Sequence, residues 1–278
     1  LRPASNDVHF AVMTSGHNSV TNGFLLEAFK MVMQYLEKDE IQMVHYPNFF
    51  EEGYKHKFDK DIYHYLDNVA RNDQYQMDRG FCHRLLRCSV VIWQFKNIEE
   101  LKTKYREVID VLENSYAGEP NTPDLQQLKG MIREFEEELV WAYNGVQVNH
   151  VHHLHLGFYQ DKGITKGVNI ERDVMPIVKQ FREIQPDIIS VTLDPEGSGP
   201  DTHYKVLQAT AAAVAEWSKE KDLSNVRIYG YRNVWFKFHP VDANMYVPVS
   251  LNALAVLDKS FAASYLSQVK AEFPNPMH

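Results

Sequence analysis

Apolar positions along this chain change period several times, and the changes predict an alternation of strands and helices. Val8 to Thr14 is a short β-branched run ending at Ser15-Gly16. From Val20 to Leu36 an apolar stripe recurs at helical spacing through Phe24, Leu25, Ala28, Phe29, Val32 and Tyr35. Ile41 to Tyr46 reads as the next strand. The same grammar returns later: strand at Val148 to Leu156, helix at Ile170 to Ile184, strand at Ile188 to Leu193 and helix at Thr202 to Lys219. Val226 to Tyr231, Val234 to Phe238 and Met245 to Val249 are strand-like, with Pro248 marking the last as a sheet edge. Ser250 then caps a final helix rich in Ala and Leu.

Alternation of this kind argues for an α/β fold with a mostly parallel sheet and helices on both faces. Between the two alternating halves, Phe58 to about Asn144 is helical in pattern. Its last helix opens at Thr122 with Pro123 in the first helical position. We expect one domain over 1–278, with a helical insertion at about 49–118 that could act as a lid. No internal repeat interrupts this layout.

Composition narrows the class. With 278 residues, 44% hydrophobic and 24% charged, the chain reads as a globular protein with a large core. The net charge of -8, with no basic cluster, argues against nucleic acid as a partner. No apolar run reaches spanning length and no signal peptide is evident, so no membrane partner is expected. Two cysteines, Cys82 and Cys88, stand outside any metal or redox motif, which fits a reducing, cytoplasmic setting.

The stretch from Ile189 to Ala213 holds the leading candidate chemistry. A β-branched run stops at Asp194-Pro195, a Gly/Ser/Pro loop follows, and a helix opens with His203 in its first turn. Open α/β sheets place ligands at the carboxyl ends of strands, which is where this imidazole falls. A histidine near a helix start is more often packed or solvated than ligating, but Asp194, Glu196 and Asp201 crowd the same loop. Other histidines compete. His150, His152, His153 and His155 lie on a predicted strand whose alternation splits them between two faces, His150 and His152 sharing one. No carboxylate or cysteine joins them at ligand spacing. His239 and Asp242 follow a strand but fit a turn equally well. Arg133 with Glu136 or Glu137 fits a solvated helix face. Neither a Gly-rich phosphate loop nor a nucleophile elbow is present.

Several segments together resemble the PIG-L/LmbE family of metal-dependent N-deacetylases, and especially the deacetylase-like domain associated with glucosamine-6-phosphate deaminase (isomerase) fusions. They are VHFAVMTSG at 8–16, LKGMIREFEE at 128–137, VHHLHLGFY at 151–159, the stretch 184–203 and YRNVWFKFHPVDANMYVPV at 231–249. The resemblance implies a Rossmann-like three-layer sandwich and a zinc-dependent hydrolase that removes the N-acetyl group from an N-acetylglucosamine-type sugar or sugar phosphate. In it His203 is a metal ligand, and Arg133 and Glu136 stand near the sugar with Ser15, His17, Asn18 and Tyr159.

Departures from the family pattern shape the remaining expectations. The family's His-Pro-Asp-Asp motif is absent from these residues, so the other zinc ligands and the first strand are expected upstream of Leu1. The family's HxxH becomes Pro200-Asp201-Thr202-His203, with Pro200 at its first histidine, leaving His239 and Asp194 as the residues to handle protons and polarise the carbonyl. The rival expectation is a catalytically incomplete sugar-binding or interaction domain. The partner in either case is a small amino sugar, with a homo-oligomer left open.

Overall fold

The structure is a computed structural model that describes residues 6–46, 48–52, 59–116, 119–158, 166–194, 201–232 and 237–269. It is a mixed α/β molecule in which helix predominates. Contacts divide the chain into two compact units: 1–11, 15–152 and 251–278 form the first, 12–14 and 153–250 the second.

The first unit is built on helices. Strand β1 (Phe10–Val12) leads through a turn of 3-10 helix at His17–Ser19 into α1 (Asn22–Glu37). Thr21 caps that helix by accepting the Phe24 N–H at 3.1 Å, and Leu25, Ala28, Phe29, Val32 and Leu36 form its buried stripe. After the short α2 (Phe49–Glu52) come α3 (Asp59–Arg71), α4 (Gln74–Trp93) and α5 (Ile98–Asn114). Asp73 and Asn97 cap α4 and α5 through the amides of Gln76 and Glu100. The long α6 (Pro123–Tyr143) starts at Thr122-Pro123, as the sequence predicts. Phe29, Tyr105, Leu85, Leu128 and Phe135 are fully buried at the centre of this unit. Thus the helices read as an insertion supply half of its buried core. Two ion pairs lie inside it, Arg84 to Glu138 at 2.8 Å and Arg87 to Asp61 at 3.0 Å.

Strand β2 (Val151–His153) pairs with β1. The second unit contains α7 (Met175–Ile184), entered through a π-turn at Ile170–Val174, then β3 (Ile188–Thr192), α8 (Asp201–Trp217) and β4 (Arg227–Tyr231). Strands β3 and β4 run parallel in register from Ile188 opposite Arg227 to Thr192 opposite Tyr231. Phe158, Ile177, Val178, Ile189, Ala209, Ala213 and Trp217 make a separate core. The last helix, α9 (Leu251–Ser264), returns to the first unit and packs on α6.

Three sequence expectations are corrected. Ile41 to Tyr46 is a 3-10 turn at Gln42–His45 rather than a strand: Gln42 and His45 both turn back to Asp39, which winds the segment. Among the described residues Met245 to Val249 pairs with no strand; Pro248 offers no N–H and its neighbours are exposed. The sheet is two separate pairs of strands among the described residues, not one continuous layer. Val234 to Phe238 falls mostly outside the described residues, and Lys237 and Phe238 are not in a strand.

Candidate functional site

In the second unit two of the candidate residues, Asp194 and His203, lie side by side. Asp194 follows β3 by two residues and is 2% exposed, while His203 occupies the first turn of α8. Its Nδ1 lies 3.1 Å from the Asp194 Oδ2, with the imidazole about a third exposed (30%) against a carboxylate that is 2% exposed. A carboxylate bound to Nδ1 fixes the tautomer and orientation of the ring. Gly199-Pro200 and the rest of 195–200 lie outside the described residues.

A second carboxylate stands nearby in sequence but has a structural task. Asp173 is fully buried and accepts from the Gly157 amide, the Asn169 amide and Arg172. Burial pushes its carboxyl up, but the Arg172 guanidinium and the two amides outweigh this and hold it below the usual range.

In the first unit, the residues following β1 meet α6. Gly16 adopts φ 63°, a left-handed conformation that glycine takes without strain. Ser15 Oγ and His17 Nδ1 lie 2.8 Å apart. At Gly130 a Cβ would stand 3.3 Å from the Ser15 Cβ, so this glycine lets the loop close onto the helix. Burial, assisted by Lys129, lowers the His17 pKa. Asn18 is exposed in the same turn. Lys129 is buried, donates to Asn22 and Asn121 at 2.6 Å each, and burial pulls its pKa down to about 8.

One turn further along α6, Arg133 and Glu136 form a buried knot instead of a solvated face. Arg133 donates to Glu136 and, at 3.2 Å, to Glu137, and its guanidinium lies over the Tyr265 ring. Glu136 is 0% exposed and accepts both the amide and hydroxyl of Ser267. Burial raises its pKa, and the Arg133 charge opposes that rise. The Tyr265 hydroxyl donates to Glu137 at 2.9 Å.

Ser15, His17, Lys129 and Arg133 are therefore brought to one face of α6, and Asp194 with His203 to the end of β3. His239 is exposed in a turn where its carbonyl accepts the Asp242 N–H at 2.8 Å and its Nδ1 accepts the Val241 N–H. Tyr159 lies outside the described residues. Sequence reasoning missed Lys129, although its spacing of four from Arg133 sets both on one helical face. It also missed Asp7 and His9. They stand before β1, and His9 Nδ1 lies 2.9 Å from His152 Nε2.

Comparison with known proteins gives a single partial likeness. The chain is 34% identical over 163 residues to a glucosamine-6-phosphate deaminase-like protein of Bacteroides thetaiotaomicron, covering 56% of this chain and 24% of that one. It thus spans about a quarter of the length of the curated relative it matches. No family model and no solved structure matches. Among the described residues no helix is long and apolar enough to cross a membrane.

Proposed function

We propose that this chain is a PIG-L/LmbE-type module that removes the acetyl group from an N-acetylglucosamine-type sugar or sugar phosphate. The observation that carries the reading is the Asp194–His203 pair at the end of β3, a buried carboxylate orienting an imidazole about a third exposed. The amino-sugar phosphate in the name of the partial relative supports the substrate class.

Asp194 holds the proton on Nδ1, so His203 Nε2 is the basic nitrogen. That arrangement suits an imidazole that ligates a metal, with the carboxylate as its outer partner, or one that takes a proton from water. A Zn2+ held by His203 would supply a water of lowered pKa. Asp194 fixes the direction of the imidazole, and its own burial keeps bulk water from competing for the Nδ1 proton. Arg133 and Glu136 are spent on each other and on Ser267, which leaves them poorly placed to contact sugar hydroxyls.

A second reading, a sugar-binding module without hydrolysis, is favoured by one observation. Among the described residues, no converging group of three His, Cys, Asp or Glu includes His203. Acetate release from N-acetylglucosamine 6-phosphate, measured with and without added Zn2+ and set against ammonia release from glucosamine 6-phosphate, separates the two. Hydrolysis predicts acetate, with His203→Ala lowering the rate by about 10²–10⁴-fold. Sugar binding without acetate in both metal conditions supports the second reading.

A further inference from the structure

The four groups Asp7, His9, His150 and His152 all belong to the first unit and gather where β1 and β2 begin. His9 and His150 stack with ring centroids 4.2 Å apart, and His9 lies 5.1 Å from His152. The Asp7 Oδ1 stands 3.3 Å from His9 Nε2 and 3.3 Å from His150 Nδ1. Donor atoms of Asp7, His9 and His150 all lie within 4.8 Å of one another. This cluster is separate from Asp194 and His203, which belong to the other unit.

We propose that Asp7, His9 and His150 bind a divalent transition cation of the Zn2+ class, with His152 as the positioning residue and a water completing the shell. Tetrahedral zinc with bonds of about 2.0–2.1 Å to nitrogen and oxygen separates its ligand atoms by about 3.3–3.4 Å. Two of the three edges already have that length. The proton pattern also fits. When His9 Nε2 faces the ion, its Nδ1–H donates to His152 Nε2 at the observed 2.9 Å, which is how outer partners commonly fix a ligating imidazole. Donor types agree with this class, since imidazole with one carboxylate selects zinc-like ions over Ca2+ or Mg2+, which prefer all-oxygen shells. Asp7 is exposed, so the ion can enter from solvent, while His9 and His150 are mostly covered. Parallel stacked rings cannot aim both lone pairs at one point. Loading therefore tilts His150 out of its stack on His9.

The test is metal uptake by the whole chain after stripping with a chelator, read by elemental analysis and by the visible ligand-field spectrum of Co2+ as a zinc substitute. The parent protein should take up an ion in a four-coordinate spectrum, and Asp7→Asn and His9→Ala should each lose it. His152→Ala should weaken binding by about 10–100-fold. His203→Ala should leave the part of the uptake that Asp7→Asn abolishes unchanged, whatever ion His203 itself holds. Absence of uptake by the parent, a six-coordinate spectrum, or uptake untouched by Asp7→Asn and His9→Ala overturns the assignment. So does uptake that follows His203 instead. Because Asp7 is exposed, Asp7→Asn leaves the core intact and keeps a negative result readable.

Discussion

Two buried carboxylates in this molecule do opposite things. Glu136 on α6 is 0% exposed, and its oxygens are taken by Arg133 and by the amide and hydroxyl of Ser267, so its charge is consumed in tying the C-terminal segment to α6. Asp194 at the end of β3 is 2% exposed, yet it faces an imidazole that remains about a third open to solvent (30%). The first arrangement closes on itself; the second directs a group outward. Burial and ion pairing alone therefore do not mark a functional site, because both residues have them. What distinguishes Asp194 is the exposure of the partner it orients.

The largest effect that tests this contrast is on stability. Glu136→Ala leaves the Ser267 amide and hydroxyl without this acceptor and Arg133 with Glu137 alone, and should destabilise the fold by about 3–5 kcal/mol. Urea melts of the purified variant check this. A loss below about 1 kcal/mol would mean that Glu136 is not the structural knot its contacts describe.

Asp194→Asn should show the reverse balance. An amide fills the same space and can still meet His203, so the stability cost should stay at about 1–3 kcal/mol. It no longer holds the imidazole in one tautomer, so acetate release should fall by about 10²-fold or more. Parallel melts and rate measurements would break the comparison if Asp194→Asn unfolded the protein while leaving its rate intact.

How much of this could be read in advance depended on how local the signal was. Asp194 and His203 were each legible as candidates, because one follows a strand and the other opens a helix nine residues on, but their hydrogen bond to each other was not part of that reading. The helix of α6 and its Thr122-Pro123 start were legible for the same reason. Glu136 misled, since spacing along α6 predicts a solvated face and nothing local announces that Tyr265 and Ser267 return to cover it. The histidines at 150–155 misled in the other direction. Val148 to His150 is a 3-10 turn rather than part of the predicted strand, and the carboxylate and third imidazole beside His150 and His152 come from Asp7 and His9, more than a hundred residues earlier. The turn at Gln42–His45 was misread because its apolar residues mimic a strand while bonds to Asp39 wind it.

A smaller loss should follow from Gly16→Ala. Its φ of 63° costs an alanine about 1 kcal/mol, and the added methyl would sit 3.4 Å from Arg133 Nε. If this loop merely packs against the Glu136 knot, stability falls and sugar affinity stays. If Ser15 and His17 contact the sugar, affinity falls by more than the melt accounts for. Titration calorimetry beside thermal melts separates these outcomes.

The subtlest effect is a slope with pH. Burial holds Lys129 at about 8, against 10.5 for an ordinary lysine, so between those values the unfolded chain binds a proton that the folded chain has released. Stability should therefore rise as pH increases through that window, since the unfolded state then binds more protons. His17 is also lowered, by burial and by Lys129, and adds a rise of the same sign in the acid range below its ordinary 6.5. Lys129→Met should flatten the alkaline slope and, by removing the charge beside it, weaken the acid one. Thermal melts across both ranges measure this. A parent protein whose stability is flat from 8 to 10.5 would mean that Asn22 and Asn121 solvate the ammonium well enough to cancel its burial. In that case the face of α6 carrying Lys129 would be as self-contained as the Glu136 knot, and the outward-facing chemistry would rest on the Asp194–His203 pair.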